Sequence, residues 1–110
     1  MREKLPGVRA LFVLSADGEL LDCAAEESGI DVSALASEYA TLLRIVQRMS
    51  IDTGMGDFEE QILIHPSSQI VVRRLPKNRF AVCVCSLREH LGRLRYELRR
   101  CLLYSTFSNL

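Results

Sequence analysis

Two short stretches, Arg9-Ala10-Leu11-Phe12-Val13-Leu14-Ser15 and Arg79 to Ser86, are apolar at odd and even positions alike. A strand alternates its side chains between two faces, so a strand of this kind is covered on both sides. Each stretch therefore predicts a central strand of a sheet. Leu20 to Ala25 and Phe58 to Ile64 carry charge among their apolar residues and predict edge strands instead.

Turn chemistry orders these strands. Asp17-Gly18 between the first two apolar runs is a strong hairpin signal and predicts a type I′ turn, with positive φ at both central residues. Pro66-Ser67-Ser68 and Pro76-Lys77-Asn78 predict turns that join Phe58–Ile64, Gln69–Leu75 and Arg79–Ser86 into a meander. Joining the two central strands then gives the order 2-1-5-4-3.

Between hairpin and meander, Val32 to Asp52 predicts a long helix, with Asp31 placed to cap its first N–H groups and Gly54 to take the left-handed C-terminal position. At about 100° per residue, Leu35, Ala36, Tyr39, Leu42, Leu43, Val46 and Met49 form a stripe that Ile45 and Ala40 widen. A helix lying on one sheet needs an apolar arc of only about 100°, so this helix is expected to meet a second surface. A final helix is predicted from Leu87 to Tyr104, where Leu87, Leu91, Leu94, Leu98, Cys101 and Leu102 share one face. The expected architecture is α/β (α+β), with the long helix on one face of an antiparallel sheet and the C-terminal helix on the other.

The 110 residues suit a single domain spanning 1–110, and 48% hydrophobic with 25% charged residues is an ordinary globular composition. Fourteen basic residues balance 14 acidic ones. No global field therefore draws the chain to nucleic acid or to an anionic membrane. No apolar run approaches the ~20 residues of a membrane helix, and no signal peptide opens the chain, so a cytoplasmic protein is expected. Cys23, Cys83, Cys85 and Cys101 lack zinc-ribbon spacing and are predicted to be buried reduced thiols.

Catalytic chemistry finds little support. His65 stands at a strand end before a proline and His90 among charged residues of the last helix, and neither has a nucleophile or acid at the spacing of a known catalytic motif. The glycines build no phosphate-binding loop; Gly54-Met55-Gly56 lacks both the preceding strand and the lysine such a loop uses. Asp57, Glu59 and Glu60 read as a solvated edge, because consecutive strand residues point to opposite faces. Arg88, Arg93, Arg95, Arg99 and Arg100 read as a solvated helix face, with no interleaved aromatic residues for a nucleic acid to stack on. The expectation is no enzyme, no cofactor and no metal.

Several segments have a further likeness in common. Pro6-Gly7-Val8 leads into the first strand, Ser15-Ala16-Asp17-Gly18 forms its turn, Leu35-Ala36-Ser37-Glu38-Tyr39 lies in the long helix, and Leu91-Gly92-Arg93-Leu94-Arg95-Tyr96-Glu97-Leu98 comes late. In that order of elements the chain resembles the roadblock (dynein light chain) family, a profilin-like fold, and its bacterial MglB-like branch. The resemblance implies homodimers or heterodimers that bind a small Ras-like GTPase, with activation of GTP hydrolysis one form of regulation. In the MglB type, the dimer rearranges the GTPase's own machinery and donates no catalytic residue. An assembly scaffold for a motor or signalling complex, without effect on hydrolysis, is the alternative. A sheet holding a small-molecule signal beneath its helix is a third.

The edge strand Phe58–Ile64 exposes unpaired backbone groups beside the long helix's surplus apolar arc. Two copies meeting edge to edge about a twofold axis would extend the sheet and set their long helices side by side, with pairing of dimers into tetramers left open. Tyr39, Leu42, Val46, Met49, Phe58, Ile62 and Ile64 are predicted to hold that interface; the alternative for each is a place in the monomer's own core. Ser37, Thr41, Arg44, Gln47, Arg48 and Asp52 would then face outward as a polar platform, where the resemblance implies a GTPase would sit.

Overall fold

A computed structural model describes residues 7–26 and 29–86. Its elements are β1 (Val8–Ser15), β2 (Leu20–Glu26), α1 (Val32–Asp52), β3 (Glu60–Ile64), β4 (Ser68–Leu75) and β5 (Arg79–Ser86). The strands form one five-stranded antiparallel sheet in the order β2-β1-β5-β4-β3, as the strand patterning predicts. The expected final helix Leu87–Tyr104 lies outside the described residues, as do His90 and Cys101. No described helix is long and apolar enough to cross a membrane.

The double-sided apolar pattern of β1 and β5 gives two cores, one on each face of the sheet. On one face, Phe12, Leu14, Val72, Phe80 and Val82 pack with Val32, Ala36, Tyr39 and Leu43 of α1. On the other, Val8, Leu11, Val13, Val71, Ala81, Cys83 and Cys85 are buried together. A register shift between Val8 and Ala10 returns Val8 to the face of Leu11.

Helix α1 begins and ends as its sequence predicts. Asp31 Oδ1 accepts from the Ala34 N–H at 3.1 Å. At the other end the Gly54 N–H donates to the Ile51 carbonyl and the Met55 N–H to the Ser50 carbonyl, with Gly54 at φ 71°. Those two bonds make a Schellman cap, which needs a residue that enters the left-handed region cheaply.

The first hairpin corrects its prediction. Among the described residues only Lys77 and Asn78 are non-glycines with positive φ, so Asp17 is not left-handed and the turn is not type I′. The Gly18 N–H donates to the Ser15 carbonyl at 3.0 Å and the Ser15 N–H to the Glu19 carbonyl at 2.9 Å. Ala16 and Asp17 are thus the central residues of a four-residue turn that ends at Gly18, which takes the left-handed position at φ 86° before β2 begins. Gly18 also lies against α1, where a Cβ added to it would fall 2.0 Å from the Ala40 Cβ. The hairpin thereby fixes where the helix lies on the sheet.

Both-positive φ, expected at Asp17-Gly18, occurs instead at Lys77 (65°) and Asn78 (57°) between β4 and β5. Asn tolerates the left-handed region, whereas Lys has no local hydrogen bond to offset its Cβ clash. Lys77→Gly is therefore expected to raise stability by about 0.5–1 kcal/mol, read as a shift in the urea midpoint at unchanged slope.

Candidate dimer edge and helix platform

Strand β3 is shorter than its sequence predicts, because Phe58 and Glu59 are used differently. The Phe58 ring stacks on Phe80, with centroids 5.6 Å apart and planes 6° from parallel. Arg74 holds it there: its Nε donates to the Phe58 carbonyl at 2.9 Å, and its guanidinium carbon lies 5.3 Å from the Phe58 centroid and 4.9 Å from that of Phe80. Such a cation over two rings fastens the approach to β3 onto β4.

The hydrogen bonds of β3 show which of its backbone groups face β4. The Arg74 N–H donates to the Glu59 carbonyl at 2.9 Å, and the His65 N–H to the Ser68 carbonyl at 2.7 Å. Both pairs lie on the register that runs from Glu60↔Arg73 to Ile64↔Gln69. Antiparallel pairs alternate, so the odd residues of β3 bond to β4 while Glu60, Ile62 and Ile64 direct N–H and C=O away from the sheet. Among the described residues no further strand meets them.

The sheet's two edges are unlike. β2 pairs with β1 through two register shifts and carries exposed Leu20, Leu21 and Cys23. Bulges are among the devices that guard an edge against another chain. β3 pairs through five consecutive residues without a shift and, among the described residues, has no such guard.

Helix α1 lies with one flank toward each edge. Ala40 meets the β1–β2 turn at Gly18, whereas Met49 and Ser50 share a groove of 620 Å³ with Met55, Phe58, Glu59 and Glu60 at the start of β3. At about 100° per residue, Leu35, Leu42, Ile45 and Met49 lie on the flank away from Ala40. Ile45 is 62% and Met49 51% exposed, and Leu35 and Leu42 are half-buried. An apolar ribbon thus runs along α1 beside the unguarded strand. Ile45, absent from the predicted interface, belongs to it; the signal was its widening of the helical stripe.

Other predicted interface residues are placed differently. Tyr39 is buried at 5% exposure in the core under α1, the alternative place the sequence left open for it. It sits near the middle of the buried stripe; burial pushes its phenol up to about 12, and among the described residues its hydroxyl has no hydrogen-bond partner. Phe58 and Leu42 pack partly into the same core. Ile62 packs partly against the opposite core, on the sheet face away from α1, and strand alternation puts Ile64, 67% exposed, on that face too. Val46 is half-buried. The predicted set therefore divides between two sheet faces, with β3 between them.

On the outward side of α1, Ser37, Thr41, Arg44, Arg48 and Asp52 are exposed, and Gln47 is half-buried. Arg44 Nη2 donates to Thr41 Oγ1 at 3.4 Å, and Arg48 lies 3.7 Å from Asp52 one turn on. Contacts this exposed contribute little to folding and leave the guanidinium groups open to a partner.

The remaining reactive groups do not converge. Glu60 pairs with Arg73 at 2.9 Å, and no three His, Cys, Asp or Glu side chains among the described residues gather as metal ligands. Cys83 and Cys85 are buried, and hydrogen bonding to Cys85 together with burial pushes the Cys83 thiol up. Cys23, expected buried, is exposed, because it lies on the edge strand β2.

No family sequence profile and no curated protein matches the chain. Solved structures match its fold, and that fold is the roadblock/LC7 fold of the MglB type. Myxococcus xanthus MglB superposes with a TM-score of 0.82 at 18% identity, over 90% of this chain and 74% of that one. A Roadblock/LC7 domain from Streptomyces avermitilis gives 0.76 at 18% identity, over 91% of this chain and 86% of that one. An MglB described with a tetrameric arrangement gives 0.78 at 17% identity, over 90% and 76%.

Proposed function

We propose that this protein is a homodimeric, non-catalytic regulator of a small Ras-like GTPase, a single cytoplasmic domain whose two copies join through β3. The observation that carries this reading is the unguarded β3 edge with an apolar ribbon of α1 beside it. Joining there brings two α1 helices together and doubles the polar platform of Ser37, Thr41, Arg44, Arg48 and Asp52. The resemblance to roadblock proteins supplies the kind of partner, and the likeness to MglB structures, one of them in a tetrameric arrangement, supports both the regulator role and self-association.

The test is binding of the purified protein to each small Ras-like GTPase of its host, loaded with GDP or with a non-hydrolysable GTP analogue. One GTPase is expected to bind, with a nucleotide preference and an altered rate of GTP hydrolysis. Arg44→Ala and Arg48→Ala are each expected to weaken that binding about tenfold without loss of fold, as truncation of an interface arginine does. Binding with an unchanged hydrolysis rate would favour the scaffold reading; no binding by any of them would refute the GTPase reading.

A further inference from the structure

We propose that the groove between the C-terminal end of α1 and the start of β3 docks a basic segment of a partner protein, one that carries a large aliphatic side chain next to lysine or arginine.

The apolar walls of the groove are built by features with other roles in the fold. The Schellman cap places Met55 at the position that commonly touches the last full turn of the helix, and Met49 stands on that turn. The third wall is the Phe58 ring, which Phe80 and the Arg74 guanidinium hold in place. Together they line a groove of 620 Å³, with room for several side chains of an incoming segment. Met49 is 51% and Met55 75% exposed, so both thioethers are open to water. Methionine is flexible enough to fit aliphatic side chains of differing shape, which leaves charge to select among them.

That charge has one sign. Asp57 and Glu59 are exposed, Glu60 lines the groove as well, and no described lysine, arginine or histidine does. The cations nearby are engaged elsewhere: Arg73 with Glu60 at 2.9 Å, Arg74 with the Phe58 carbonyl, and Arg48 with Asp52. A segment with basic residues beside an aliphatic anchor therefore finds both parts of its chemistry met, whereas an acidic segment is repelled. A second copy of the chain is a poor occupant, because groove against groove sets carboxylate against carboxylate. One chain builds every wall, so docking does not depend on self-association.

The test uses the full chain with isotope-labelled methionine methyl groups and three short peptides: leucine alternating with lysine, serine alternating with lysine, and leucine alternating with glutamate. The leucine–lysine peptide is expected to shift the Met49 and Met55 methyl signals and to bind at least about tenfold more tightly than either of the others. Added salt is expected to weaken it. Met55→Ser, at an exposed position, is expected to weaken binding about tenfold with the fold intact by circular dichroism. Asp57→Lys combined with Glu59→Lys is expected to reverse the preference, making the leucine–glutamate peptide the tighter ligand. No shift at Met49 or Met55 with the leucine–lysine peptide would overturn the proposal, as would equal binding of the serine–lysine peptide or a preference that survives the charge reversal. Sedimentation velocity on the same mixtures separates this proposal from the homodimer reading. A dimer carrying the peptide supports both, and a monomer carrying it supports docking while contradicting the homodimer. A peptide that binds only by splitting the dimer would make a second copy the occupant and overturn the proposal.

Discussion

Ile64→Pro is expected to yield a folded monomer. Ile64 is 67% exposed, and its N–H points away from β4, so the substitution removes a donor that the monomer does not use. Proline is tolerated on an edge strand for that reason, and the residue before it is already extended. Fold stability should fall by less than about 1 kcal/mol. In a β3-to-β3 dimer the same change deletes one bond from each strand, leaves two carbonyls without donors and wedges two rings into the seam. At about 1–3 kcal/mol for each stranded group, association should weaken 100-fold or more. Circular dichroism checks the fold and sedimentation velocity the mass. Met49→Lys, which puts a charge into the apolar ribbon of α1, should act in the same direction. A dimer that survives both would place the contact elsewhere.

Gly18→Ala is expected to cost about 3 kcal/mol and to lower the melting temperature by about 10–20 °C. Two effects add. Gly18 holds φ 86°, where an L side chain is strained, and the new Cβ would stand 2.0 Å from the Ala40 Cβ, deep inside any contact distance. Ala40 sits on a helix and cannot swing aside, so relief requires α1 to lift from the hairpin. Ala40→Gly alone should cost about 1 kcal/mol through helix propensity. Combined with Gly18→Ala it should recover part of the loss, a coupling that thermal melts of the four proteins would resolve. Additive losses would show that the strain is all backbone.

These two positions also show what the sequence could convey. Strand order was legible because residues 9–15 and 79–86 have no polar face, and a strand without a polar face has no stable place except between neighbours. The helix limits were legible because Asp31 and Gly54 act locally, through side-chain capping and a left-handed backbone. The hairpin type was not, because Asp17-Gly18 fits two turns equally well, and the approach of Gly18 to Ala40, distant in sequence, accompanies the one observed.

The candidate interface was partly legible. The excess apolar arc of α1 predicted exposed apolar residues beyond the core, and Met49 and Ile64 stand exposed. Tyr39 misled because a helical stripe gives angles around an axis and not the position of the sheet beneath it; about 60° separates Tyr39 from Leu42 on the wheel, enough to move a residue from flank to core. Phe58 misled because its partner, Arg74, is 16 residues away and no local pattern announces a guanidinium over two rings.

Self-association through β3 is the claim on which the platform depends, and sedimentation equilibrium of the unmodified chain at micromolar concentration and neutral pH tests it most directly. A particle of twice the 12.4 kDa chain mass is the result expected. A species that remains at 12.4 kDa as concentration is raised would contradict it.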